Sequence, residues 1–140
     1  MWLLYAFVSA FFASLVAIFG KLGLKSIDPT LATTIRGIIM AAFLFVLSFS
    51  IGKFNGFSFN SFSSRDWILI ALSAIAGAMS WIFYFVALKE GPASAVGAID
   101  RLSIVFIVVL AAVFLGESFG FKTAIGAALI SLGAILITLK

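Results

Sequence analysis

Five uninterrupted apolar stretches, each long enough to cross a lipid bilayer, constrain this chain more than any other feature. They run from Trp2 to about Leu22, Leu31 to about Ile51, Trp67 to Leu88, Ala93 to Leu115 and Thr123 to Leu139. At about 20 residues per spanning helix, five spans consume about 100 residues. The chain has 140, so no second, water-soluble domain fits. Charged residues make up 10% of the chain, against roughly 25% in a soluble domain, which excludes a soluble globule. None of the stretches alternates with period two, and an unclosed strand in hydrocarbon leaves its backbone groups unpaired. The expected fold is therefore an all-α integral membrane protein with five transmembrane helices, forming a single membrane domain over residues 1–140. No basic residue precedes the first stretch, which continues to Phe19, longer than a signal-peptide core. It is expected to be a retained helix.

The connections are short and carry their own punctuation. In Lys25-Ser26-Ile27-Asp28-Pro29-Thr30, Asp28 stands as an N-cap and Pro29 in the first helical turn of the second span. Lys89-Glu90-Gly91-Pro92 is expected to do the same between the third and fourth spans, and Gly116-Glu117-Ser118-Phe119-Gly120 separates the last two. Only Gly52 to Asp66 is long. There Phe54, Phe57, Phe59 and Phe62 interrupt a polar background, which suits a loop in the headgroup region with its rings dipped inward; a lid or gate is the alternative. Small residues recur every four positions at Ser9, Ala13 and Ala17, at Ser73 and Gly77, and at Ala127 and Ser131. Such faces let helices approach closely, within one subunit or between two. The dense strip Gly126, Ala127, Ser131, Gly133 and Ala134 is a candidate subunit interface.

With no cysteine and no histidine, the chain has no thiolate or imidazole for zinc and no Cys/His nucleophile. No metal and no cofactor is implied. The net charge of +4 is dispersed rather than gathered into a basic stripe, so no nucleic acid partner is expected. The bases instead read as topology signals. Lys21, Lys25, Lys89 and Lys140 fall on one side of the bilayer, and Lys53, Arg65 and Lys122 on the other. The positive-inside rule then puts the N-terminus outside and the C-terminus inside a cell membrane if every copy inserts one way. A near-balanced count also fits a dual-topology protein.

More informative are charges away from helix ends. Arg36 lies about seven residues into the second span and Asp100 with Arg101 about eight into the fourth, so each is about 10 Å below the same side. Trp81 and Tyr84 reach this level from the end of the third span. An ionisable residue this deep costs at least about 2.5 kcal/mol and marks a functional site facing the bundle interior or water. Adjacent residues on a helix point about 100° apart, so Asp100 and Arg101 are poor partners. Pairing Asp100 with Arg36 leaves one arginine over, suited to a carboxylate or phosphate on a solute. A purely structural Asp100–Arg36 pair, or arginines snorkelling to the interface, is the alternative. Arg36, Trp81, Tyr84, Asp100 and Arg101 are thus the candidate substrate-binding residues. Glu117 reads as interfacial and structural.

Lys21-Leu22-Gly23-Leu24, Asp28-Pro29 and Ala32-Thr33-Thr34-Ile35-Arg36 resemble the start of an EamA-type repeat of the drug/metabolite transporter superfamily. Leu110 to Glu117 resembles that family's helix-four ending, and Gly126 to Gly133 its fifth helix. The likeness covers essentially the whole chain. Most members carry two such units in inverted orientation; this chain is similar to the short single-repeat branch, to which Trp81 to Leu88, Gly91-Pro92-Ala93-Ser94 and Ile99-Asp100-Arg101-Leu102-Ser103 look characteristic. Longer members usually have a proline about where Ile104 stands, so a helix break there is not implied.

The resemblance implies transport of small metabolites, commonly export of amino acids or drugs. The leading expectation is a secondary transporter in the lipid bilayer with a small-molecule substrate, assembled as a homodimer whose antiparallel subunits would recreate the inverted repeat. Asp100 is the candidate for coupling through a proton or a cationic substrate. A flippase for lipid-linked substrates and a non-transporting accessory subunit are the alternatives. An enzyme is not expected, because Asp100 and Glu117, the acids of the fourth span, stand about 25 Å apart along the helix.

Overall fold

The computed structural model describes residues 1–139, and Asn60 by its backbone alone; Lys140, counted above among the bases, lies outside them. Six helices follow one another: α1 (Trp2–Gly23), α2 (Pro29–Ser50), α3 (Ser64–Glu90), α4 (Ala93–Asp100), α5 (Ser103–Leu110) and α6 (Phe121–Thr138). A 3₁₀ turn lies at Phe59–Ser61 and a π-helical turn at Ala111–Leu115. The fourth span is α4, α5 and the π turn together, so five segments are long and apolar enough to cross a membrane. The protein is an all-α membrane protein.

By backbone contact the chain divides into two units, one from Gly23 to Lys89 and one of Met1–Leu22 with the chain from Glu90 onward. In the first, α2 and α3 form a hairpin. Asp28 caps α2 as its sequence predicts: the carboxylate accepts the Leu31 amide at 3.0 Å, and Pro29 occupies the first turn. The far end of α2 closes on Gly52, whose φ of +70° places it in the left-handed region. Its amide donates to Phe49 and the next, from Lys53, to Ser48, satisfying carbonyls that would otherwise be left over. Helix α3 begins earlier than its apolar run, because Ser63 and Asp66 cap each other. The Asp66 carboxylate accepts the Ser63 amide at 2.9 Å while the Ser63 hydroxyl accepts the Asp66 amide at 3.2 Å, a reciprocal capping box.

The loop between these helices is ordered by its rings. Phe57 packs against Phe54, Phe59 and Phe62, with centroids 5.1–5.9 Å apart, and the cluster joins Phe45 on α2 to Trp67 on α3. The rings remain exposed, Phe59 at 71%, as a headgroup-level aromatic belt requires. At the opposite end Lys89 Nζ donates to the Ile27 carbonyl at 3.1 Å, so the hairpin runs antiparallel with Ile27 beside Lys89.

In the second unit α6 packs against α4 and α5. Ala98 and Ala134 are buried, and the covered positions of α6 are Ala124, Gly126, Ala127, Ser131, Gly133 and Ala134. The small-residue strip of the fifth span is thus already covered within a single chain. Lys21 Nζ donates to the Gly91 carbonyl at 2.8 Å. The link into α4 differs from the link into α2: Pro92 is the capping residue and supplies no side-chain bond. Gly116 closes the π turn at φ +68°, which lets the Glu117 amide donate back to the Ala111 carbonyl at 3.3 Å.

Candidate functional site

Arg36 stands seven residues after Pro29 on α2, about 10 Å into the helix. Its guanidinium carbon lies 3.5 Å from the centroid of the Trp81 ring and 5.5 Å from that of Phe85. The first distance requires the guanidinium to sit on the indole face. Trp81 meets Tyr84 edge-on at 5.9 Å and Phe85 at 5.9 Å. The spacing explains this, since residues three and four apart share one face of α3. Phe85 is buried, whereas Arg36, Trp81 and Tyr84 are half-buried.

A charge in a span costs at least about 2.5 kcal/mol, and a desolvated cation–π contact returns about 2 kcal/mol. Trp81 therefore offsets most of the cost of keeping Arg36 there. No carboxylate of the hairpin contributes. Of its acids, Asp28 is spent on the Leu31 amide and Asp66 on Ser63, and Glu90 is the last residue of α3, nine positions beyond Trp81. No hydrogen bond or ion pair engages the Arg36 side chain among the described residues, and none of its nitrogens is sealed from approach.

Asp100 and Arg101 belong to the other unit, where the backbone departs from regular helix. The Arg101 amide donates to Ala98 at 3.1 Å and Leu102 to Ile99 at 2.9 Å, followed by Ile104 to Arg101 and Val105 to Leu102. Each bond reaches three residues back instead of four. The fourth span is two short helices joined through a 3₁₀ turn, formed without proline. A 3₁₀ turn advances about 120° per residue rather than about 100°, so α5 presents a different face from the one a continuous helix would. Both side chains are exposed and have no hydrogen-bond or ion-pair partner among the described residues.

Of the five residues singled out from sequence, the hairpin brings Arg36, Trp81 and Tyr84 together. Asp100 and Arg101 share the tightened turn. Phe85 was not singled out, although it follows Trp81 by four positions, the spacing that shares a helix face.

These features define a multi-pass helical membrane protein with ionisable side chains inside its spans. Residues 1–139 match the EamA-like transporter family, and the chain belongs to that family. It is 36% identical over 136 residues to a Sinorhizobium sp. protein described as an uncharacterized transporter in the cobO 3′ region, with 97% of this chain and 95% of that protein covered. No solved structure matches the chain. The family is one of transporters, and the five spans of this chain fit a single repeat of it.

Proposed function

We propose that the protein is a secondary transporter that exports a small metabolite, such as an amino acid or drug-like solute, by alternating access as a homodimer. The observation that carries this reading is the Arg36 guanidinium stacked on Trp81 inside a span, with its hydrogen-bonding capacity unspent. A structural arginine would be spent on a carboxylate or a carbonyl. In this reading Arg101, and separately Arg36, are the candidates to hold an anionic group of a solute, Trp81 and Tyr84 those to contact an apolar part, and Asp100 the candidate to exchange a proton or meet a cationic substrate. One five-helix repeat supplies half of the usual inverted framework, and an antiparallel second copy supplies the other half.

The test is solute-dependent proton flux in proteoliposomes loaded with a pH-sensitive dye. Flux from the wild type that disappears in Asp100→Asn supports coupling at that carboxylate, and flux unaffected by the substitution removes Asp100 from the mechanism. Assembly is read separately. Because the chain lacks cysteine, single cysteines at Ser26 and at Asn55 report orientation through an impermeant maleimide on intact cells. Half-labelling at both positions supports antiparallel copies; labelling at Asn55 alone fixes one orientation and rules them out.

A further inference from the structure

We infer that the α2–α3 hairpin carries a binding subsite for the carboxylate of an apolar monocarboxylate, built from the edge of the Arg36 guanidinium with Trp81 behind it and Tyr84 alongside. This inference rests on the transport reading for its role, but stands on its own geometry for binding.

The indole face 3.5 Å from the guanidinium carbon occupies one face of the arginine plane. What remains for a ligand is the in-plane edge, where N–H donors lie side by side at the spacing of two carboxylate oxygens. Those donors make no bond to any described residue, and no nitrogen is enclosed. Charge selects further. The hairpin offers one uncompensated positive charge at this level, so a ligand bearing one negative charge neutralises it, whereas a dianion brings a surplus charge into a low-dielectric site. Of the hairpin's own acids, Asp28 and Asp66 are committed to helix capping, and Glu90 ends α3 nine positions after Trp81, about 13 Å along the helix. Asp28 precedes Arg36 by eight positions, about 12 Å along the helix, and Asp66 precedes Trp81 by fifteen, about 22 Å. An ammonium group placed beside Arg36 would find no hairpin carboxylate at its own level. The surroundings of the charge are rings, with Phe85 buried beneath Trp81, which favours an apolar body over a polar one.

The experiment uses full-length protein in nanodiscs with Trp2→Phe and Trp67→Phe, leaving Trp81 as the sole indole. Its emission is titrated with three probes of one shape: phenylacetate, neutral phenylacetamide and cationic phenethylammonium. Saturable quenching by phenylacetate is expected, with the other two at least about tenfold weaker, the effect of losing one charge-assisted hydrogen bond. Arg36→Gln is expected to abolish the response and Arg36→Lys, which keeps the charge but loses the fork, to weaken it at least about tenfold. Equal or tighter binding of phenethylammonium, absence of phenylacetate binding, or retained affinity in Arg36→Gln would each overturn the inference. Inorganic phosphate competing as well as phenylacetate would overturn the carboxylate assignment. The outcome separates from that of the transport reading. Binding that depends on Arg36 without flux in proteoliposomes counts against transport and leaves the subsite standing; flux of phenylacetate that survives Arg36→Gln does the reverse.

Discussion

Arg36 and Arg101 sit about equally far into their spans, and the protein holds them in opposite ways. Arg36 stands on a regular helix, with an aromatic ring covering one face of its charge. Arg101 stands where the helix tightens to three-residue hydrogen bonds, and both it and Asp100 are exposed among the described residues. In the alternating-access reading proposed above, the contrast separates two requirements. A binding determinant needs a fixed backbone and a shielded charge. A moving part needs a backbone whose hydrogen bonds can change register, and side chains committed to nothing on either side of the change. A mid-helix 3₁₀ turn is a recurrent form of such a hinge.

The largest effect is expected for Trp81→Ala, which removes the ring that offsets the Arg36 charge. Loss of about 3 kcal/mol is expected, low for a tryptophan truncation because the ring is half-buried; unfolding in mixed micelles measures it, and a loss under about 1 kcal/mol would deny Trp81 its shielding role. Next comes the coupling between the two residues. A double-mutant cycle of Arg36→Gln with Trp81→Phe is expected to return about 1 kcal/mol, since phenyl is a weaker cation acceptor than indole. Additive changes would mean that the stack carries no energy.

A smaller effect of opposite sign is expected at Gly97, just before the tightened turn, where an added Cβ meets nothing within 4 Å. Gly97→Ala should stabilise the protein by about 0.5–1 kcal/mol and, by stiffening α4, slow flux. Faster or unchanged flux would remove the hinge role. The smallest change in stability, within about 0.5 kcal/mol, is expected for Asp100→Asn, whose side chain has no partner to lose. A large destabilisation there would show that Asp100 is structural, and would erase the contrast between the two regions.

Much of the fold was legible because hydropathy is decisive in a bilayer. The Asp28–Pro29 start of α2 and the five spans follow from residue type alone. The earlier start of α3 did not, since Ser63 and Asp66 are polar and look like loop until they are seen capping each other. The 3₁₀ turn was illegible for a different reason. Its signals are Gly97 and Ser103, weak helix formers in a run of good spanning residues, and no proline marks it. In the site, spacing linked Trp81 to Tyr84, but which helix face meets Arg36 depends on how α2 and α3 pack. Phe85 entered only through that packing. For the strip on α6, residue type alone did not reveal that it meets α4 and α5 of its own chain.

The loop between α2 and α3 has a consequence for how the chain is made. Ser48, Phe49, Ser63 and Asp66 satisfy the exposed ends of both helices with groups no more than a few residues away. Leaving the translocation machinery, the hairpin therefore carries the Ser48 and Phe49 carbonyls and the Ser63 and Asp66 amides already paired at its turn. The two helices that carry Arg36 and Trp81 can partition together, so that the charge crosses into hydrocarbon with its aromatic cover already beside it.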